Sequence, residues 1–367
     1  MSNLMSKLKA AGSVKETSIL SESLFFNQKE TVPTEVPIIN IGLSADVDGG
    51  LSSGLTFLAG PSKHFKSLLG LLLVKAYLDK YKDAICLFYD SEFGITPDYI
   101  TANGIDTSRV LHIPIEHLEQ LKFDISKRLD EIDRGDKVVI FIDSIGNLAS
   151  KKELEDALEE KSVADMSRAR VMKSLWRIVT PALTTKDIPC VAVNHTYQTM
   201  EMFSKTVMSG GTGGMYSANQ VLIIGKSQEK DGTELSGFNF TINIEKSRFV
   251  REKSKFTFTV TFEGGINKWS GLMDIAIDLG FCAKPKQGWY AKVNLDTGEI
   301  EDKNHRLKDT NNKEFWEDIL KSKAFKDAVH KRYGVSSGTL LGDSDIEDEF
   351  ATDGDEETNW NEDDKYA

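Results

Sequence analysis

Apolar and polar positions along the chain change rhythm three times. Two short amphipathic pieces, Leu4-Met5-Leu8 and Ile19-Leu20-Leu24-Phe25-Phe26, are parted by Gly12-Ser13, which reads as an N-terminal arm over residues 1–30. Strand-like apolar runs then alternate with helical patterns: 55–59 and 66–81, 84–89 and 97–103, 138–142, then 163–180 and 190–194. Such alternation predicts βαβ units and an α/β fold around a mostly parallel, buried central sheet. After residue 219 the pattern turns to strands with few helices, over 220–225, 238–245 and 255–262, as antiparallel strands at a sheet edge would give. Gly264-Gly265 punctuates the end of a core spanning 31–270. Helical patterns at 272–279 and 315–333, around Trp289-Tyr290, predict a small C-terminal lobe over 271–335. From Ser336 the composition becomes Gly-, Ser- and acid-rich, that of a disordered acidic tail over 336–367. No internal repeat is visible.

The chain's 367 residues, 40% apolar, suffice for one large α/β core and smaller accessory pieces. No run of about 18 apolar residues occurs, and no apolar stretch follows Lys7, Lys9 and Lys15 as in a signal peptide. A cytoplasmic protein is expected. Cys86, Cys190 and Cys282 lack metal-ligand spacing and read as inert core thiols. The formal charge of −12 argues at first against a nucleic-acid partner. Residues 343–367, however, hold twelve acids against one Lys, a net of −11, so the other 342 residues carry only −1. The body is nearly neutral, and its acid is gathered in one segment.

Candidate chemistry begins at Gly60-Pro61-Ser62-Lys63-His64-Phe65-Lys66-Ser67, which follows a predicted strand and opens a predicted helix. That is the setting of a phosphate loop, where amides at a helix N-terminus converge on phosphate oxygens. Lys66 would reach the β and γ phosphates of ATP, and Ser67 would ligate Mg2+. Phe65 stands where such loops usually have Gly, so its side chain must point outward. A second strand ends in Asp143-Ser144, a carboxylate placed to hold metal-bound water. A third ends in Asp90-Ser-Glu92, with Glu92 the candidate base that orients water for attack on the γ phosphorus.

The order of these parts, followed by Asn194-His195, resembles the RecA family of strand-exchange recombinases. Within it, Tyr89-Asp-Ser-Glu-Phe-Gly-Ile-Thr-Pro97, the phosphate loop with its Phe65, and Glu245-Lys-Ser-Arg248 are similar to the recombinases of T-even-type phages. The likeness runs from about Phe25 to Tyr333. It implies that Tyr99 stacks on adenine and that His195 senses the γ phosphate and relays it to a DNA loop. It also implies that Lys246 and Arg248 reach a nucleotide held by a neighbouring subunit.

Residues 202–214 form a long Gly-rich loop that resembles the family's DNA-binding loop. There, amides at Gly210, Gly211 and Gly213 would grip phosphates, Lys205 would add the single cation, and Phe203 or Met208 would wedge between bases. Residues 150–161 carry five acids and read as a solvated helix, so Arg168, Arg170 and Lys173 just beyond are better phosphate candidates. The resemblance implies a filament on single-stranded DNA that pairs it with homologous duplex, helped by a mediator and a single-strand-binding protein. A ring helicase on the same core is the alternative, and a small-molecule kinase lacks a recognisable Arg-bearing lid.

Overall fold

A computed structural model describes residues 3–14, 16–23, 30–159, 167–200, 206–295 and 297–335. Met1–Val335 forms one compact unit, while the acidic segment 336–367 and the arm residues 24–29 lie outside the described residues. The strands, in chain order, are β1 (Gly54–Ala59), β2 (Ile85–Asp90), β3 (Val110–Pro114), β4 (Val138–Asp143), β5 (Pro189–Asn194), β6 (Thr196–Gln198), β7 (Thr206–Met208), β8 (Gln220–Asp231), β9 (Glu234–Ser247), β10 (Lys255–Thr261), β11 (Gly265–Ile266), β12 (Cys282–Lys286) and β13 (Trp289–Lys292). Nine of them make one sheet in the order β11-β10-β9-β8-β1-β5-β4-β2-β3. From β8 to β3 neighbours are parallel, and β9, β10 and β11 add antiparallel pairs at one edge. The mostly parallel sheet with an antiparallel edge is the one the apolar rhythm predicts, while β3 and β11 fall outside the runs it marks.

Every residue of β1, β4 and β5 is buried, because helices cover both faces. Alternation divides the side chains cleanly. Leu58, Phe88, Phe141 and Val191 face one apolar layer with Leu69, Leu73 and Tyr77 of the helix Lys66–Lys80. Phe57, Leu87, Ile140 and Ala192 face the other, with Leu121 and Ile125 of the helix Leu118–Glu131 and Leu175 and Trp176 of the helix Ser167–Lys186. In the first layer Gly70 packs so closely that a Cβ there would stand 2.3 Å from the Phe141 ring.

Some expectations are corrected. The helix expected over 163–180 is described from Ser167 and continues through Pro181 to Lys186. The pattern at 315–333 resolves into helices Lys313–Lys321 and Lys323–Tyr333, with the Ser322 hydroxyl accepting from the Phe325 amide at the break. Phe315, Trp316, Phe325 and Val329 of these helices join the same apolar layer as Phe256 and Val250. Among the described residues of the Gly-rich segment, β7 pairs antiparallel with β6 and Thr212–Ser217 forms a helix. At the N-terminus, the helix Asn3–Ala11 leaves Leu4, Met5 and Leu8 exposed.

Candidate functional site

The ends of β1, β5, β4 and β2 lie side by side, so the segments leaving them share one rim of the sheet. β5 lies between β1 and β4 and brings Asn194-His195 into the same row. This is the edge at which parallel α/β sheets bind ligands.

Residues 60–65 leave β1, and Lys66 opens the helix. Gly60 is required because a Cβ there would approach the Ile224 carbonyl oxygen to 2.9 Å. Lys66 is buried and its Nζ donates to the Pro61 carbonyl at 2.7 Å, so the loop closes over its own ammonium. Burial lowers the Lys66 pKa, partly offset by Glu92 and Asp143. Phe65 adopts φ 62 and ψ 11, a left-handed conformation that costs a non-glycine residue roughly 1–2 kcal/mol. Its ring leaves the loop as expected, yet it packs against Phe240 at 4.9 Å and Phe258 at 5.8 Å rather than standing in solvent.

The Ser67 side chain hydrogen-bonds the Asp143 carboxylate, whose Oδ1 is buried without a partner among the described residues. Burial, reinforced by Glu92 and Asp90, pushes the Asp143 pKa up to about 6. An orphaned carboxylate oxygen beside a hydroxyl fits a divalent cation. No group of three His, Cys, Asp or Glu that could hold a metal occurs among the described residues. Such a cation would therefore be completed by phosphate oxygens and water, as magnesium prefers.

Asp90 and Glu92 take separate tasks. Asp90 is buried, and its Oδ1 accepts the Glu92 and Phe93 amides at 3.0 and 2.8 Å while Oδ2 meets His112 Nε2 at 3.1 Å. It fixes the turn that carries Glu92. Glu92 Oε1 accepts from Ser144 Oγ at 2.5 Å and Asn147 Nδ2 at 3.1 Å, and His195 Nε2 lies 3.3 Å away. Ser91 Oγ and the Ser144 backbone exchange hydrogen bonds of 2.7 and 3.1 Å, zipping the ends of β2 and β4 together. Sequence reasoning missed Asn147, since an Asn in a turn carries no chemical signature.

His195 also roots the Gly-rich segment. Its carbonyl accepts the Ser209 amide at 2.8 Å, and Asn194 Nδ2 donates to the Ser209 carbonyl at 3.0 Å. Beyond it, Gly210 and Gly211 take positive φ values, 94° and 75°. Gly213 presses the helix Thr212–Ser217 against Lys173, whose Cβ would be 3.0 Å from a Cβ there. Phe203 and Lys205 lie outside the described residues. Met208 is buried, 5% exposed, so the expectation that it wedges between bases is corrected: its side chain belongs to the core. Arg168 is likewise committed, donating to the carbonyls of Leu148 at 2.8 Å and Gly146 at 2.7 Å. Arg170 and Lys173 remain exposed on the same helix.

Lys246 and Arg248 fall at the opposite rim. Lys246 pairs with Val221 near the start of β8, and the Arg248 amide donates to Asn219, whose own amide donates to Leu55 at the start of β1. The phosphate loop leaves the other end of β1, five residues on, or roughly 17 Å at about 3.3 Å per strand residue. The Lys246 ammonium donates to the carbonyls of Met215 at 2.8 Å and Tyr216 at 3.0 Å, and burial with the nearby Arg248 lowers its pKa.

Tyr99, 40% exposed, lines a cavity of about 240 Å³ with Phe65, Leu72, Asn103, Val260 and Ile266. Apart from Phe65 and Tyr99, none of this lining carries a signal in the sequence.

Residues 21–267 match the family model described as the RecA N-terminal domain. Residues 269–329 match that of the C-terminal domain of the bacteriophage T4 recombination and repair protein. The chain is 58% identical over 341 residues to the "Recombination and repair protein" of Enterobacteria phage T4, covering 92% of this chain and 87% of the relative. It is 26% identical over 339 residues to "Protein RecA" of Corynebacterium glutamicum (strain R), covering 89% and 87%. With "Protein RecA" of Cutibacterium acnes identity is 24% over 272 residues, 73% of this chain and 75% of the relative.

Proposed function

The chain belongs to the RecA family, and on that footing we propose that it is an ATP-dependent recombinase that assembles on single-stranded DNA and exchanges it with a homologous duplex. The observation that carries this reading is the single rim uniting the phosphate loop, Asp143, Glu92 and His195, with the Gly-rich segment rooted at His195. A ring helicase is not favoured, because the likeness to a recombination and repair protein runs through the C-terminal residues as well.

The Lys66 ammonium is positioned to neutralise the β and γ phosphates of ATP. Ser67 and Asp143 would hold Mg2+, which supplies charge neutralisation on the phosphates when bound. Tyr99 and its cavity offer a flat aromatic face and apolar walls to the adenine. Glu92 orients and deprotonates the attacking water. Its hydrogen bonds to Ser144 and Asn147 and its proximity to His195 keep the carboxylate occupied, so a shift of His195 with the DNA loop would change its availability. Lys246 and Arg248, too far from their own phosphate loop, serve a nucleotide in an adjoining subunit, where their charge stabilises the transition state. Gly210, Gly211 and Gly213, with Arg170 and Lys173, offer amides and cations to the DNA backbone.

We divide the chain into an assembly arm over 1–30, an ATPase core over 31–270, a C-terminal lobe over 271–335 and an acidic tail over 336–367. A mediator and a single-strand-binding protein are proposed partners. No helix among the described residues is long and apolar enough to cross a membrane; we place the activity in the cytoplasm of the host cell. The test is strand exchange between circular single-stranded DNA and homologous linear duplex. ATP-dependent joint molecules that vanish with heterologous duplex support the reading, and ATP-driven unwinding of forked duplex without them would replace it with the helicase.

A further inference from the structure

Phe65 holds a backbone conformation open to glycine and unfavourable for phenylalanine, and what supports it lies on β8, β9 and β10 behind the phosphate loop. Its ring packs on Phe240, whose ring lies 6.3 Å from that of Phe238. Lys226 Nζ sits 3.6 Å above the Phe238 ring and donates to the Lys63 carbonyl at 3.3 Å. Lys226 on β8 and Phe240 on β9 are register partners. One rigid strand pair therefore grips the loop twice, at the Lys63 carbonyl and at the Phe65 ring.

A trans peptide points its C=O and the following N–H in opposite directions. With the Lys63 carbonyl turned to Lys226, the His64 N–H is turned to the other side of the loop. Lys63 and Phe65 both take positive φ, at 60° and 62°, and His64 between them does not. This alternation gathers successive amides into an anion-binding concavity.

We propose that Lys226 is a positioning residue of the phosphate loop: by fixing the Lys63 carbonyl it presents the His64 amide to a nucleotide phosphate, while the Phe65–Phe240–Phe238 stack holds the conformation that glycine would otherwise adopt. Lys226 itself touches no substrate. The proposal rests on the ATP reading of the loop.

The test uses the full chain. Lys226→Met keeps an apolar stem over Phe238 and removes the donor. In DNA-stimulated hydrolysis, its KM for ATP should rise about fivefold to tenfold, as expected for one solvent-exposed hydrogen bond of ordinary strength, with kcat within about twofold. Lys226→Arg should restore most of the KM, and the urea midpoint should stay at the parent value. A KM within about twofold of the parent, a rise that Lys226→Arg does not reverse, or a fall in kcat that tracks lost stability overturns the proposal. Lys66→Ala, run alongside, separates the two readings: an unchanged Lys226→Met beside a Lys66→Ala that has lost ATP sinks the Lys226 role alone. A Lys66→Ala that still binds ATP normally sinks the nucleotide site with it.

Discussion

His195 Nε2 stands 3.3 Å from Glu92 Oε1, joining the residue that roots the Gly-rich segment to the carboxylate best placed to orient water. The His195 carbonyl meanwhile holds the Ser209 amide, so the imidazole and the loop are anchored at one backbone position. Replacing His195 with Ala should leave ATP binding intact and flatten the response of turnover to single-stranded DNA. Undiminished stimulation in that variant would place the coupling elsewhere.

Glu92→Gln preserves volume and removes the proposed base. Turnover should fall by about a hundredfold or more, in the range general bases contribute, with ATP and DNA still bound and complexes longer lived. A fall of less than about tenfold would move the role elsewhere. Asp90 would not inherit it, because both its oxygens are engaged with the turn and with His112.

Asp143 ties metal binding to pH. Its pKa, pushed up to about 6 mainly by burial, means that below pH 6 a proton occupies the carboxylate that Mg2+ requires. The Mg2+ concentration giving half-maximal ATP binding should therefore climb by up to about tenfold per pH unit below 6 and level off above it. A flat Mg2+ requirement between pH 5 and 7 would contradict this. The same raised pKa favours the folded state at low pH, a contribution present below the ordinary carboxylate value and lost as pH rises through 6.

Lys246 and Arg248 lie at the rim of the sheet away from their own phosphate loop. A Lys246→Ala, Arg248→Ala double variant mixed with parent protein should depress hydrolysis below the proportional average. Activity strictly proportional to the parent fraction would assign both residues to their own subunit.

Residues 343–367 carry a net −11, and we propose that this tethered charge competes with DNA for cationic groups at a high effective concentration. Truncation after Gly342 should tighten binding to single-stranded and duplex DNA, most at low salt. Equal affinities at low ionic strength would leave the segment as a solubility or partner-docking element.

Much of this architecture is legible in the sequence because fully buried strands such as 138–143 and 189–194 read as unbroken apolar runs. The helix Pro37–Ser44 is missed for the same physical reason: seven of its eight residues are buried, so it has no polar face to set a period. The helix Leu118–Glu131 was within reach, since Leu118, Leu121, Ile125 and Leu129 keep helical spacing, but its N-cap is the unusual His117. At the site, motif residues announce themselves through their chemistry. Met208 and Arg168 do not, because an apolar side chain and a guanidinium look the same in sequence whether they face DNA or serve the core and backbone carbonyls.

Electron microscopy of the full chain on single-stranded DNA with a non-hydrolysable ATP analogue tests the central claim most directly. The account predicts continuous helical filaments that require the nucleotide and fail to form with Lys66→Ala. Discrete closed rings, or filaments indifferent to nucleotide and to Lys66, would contradict it.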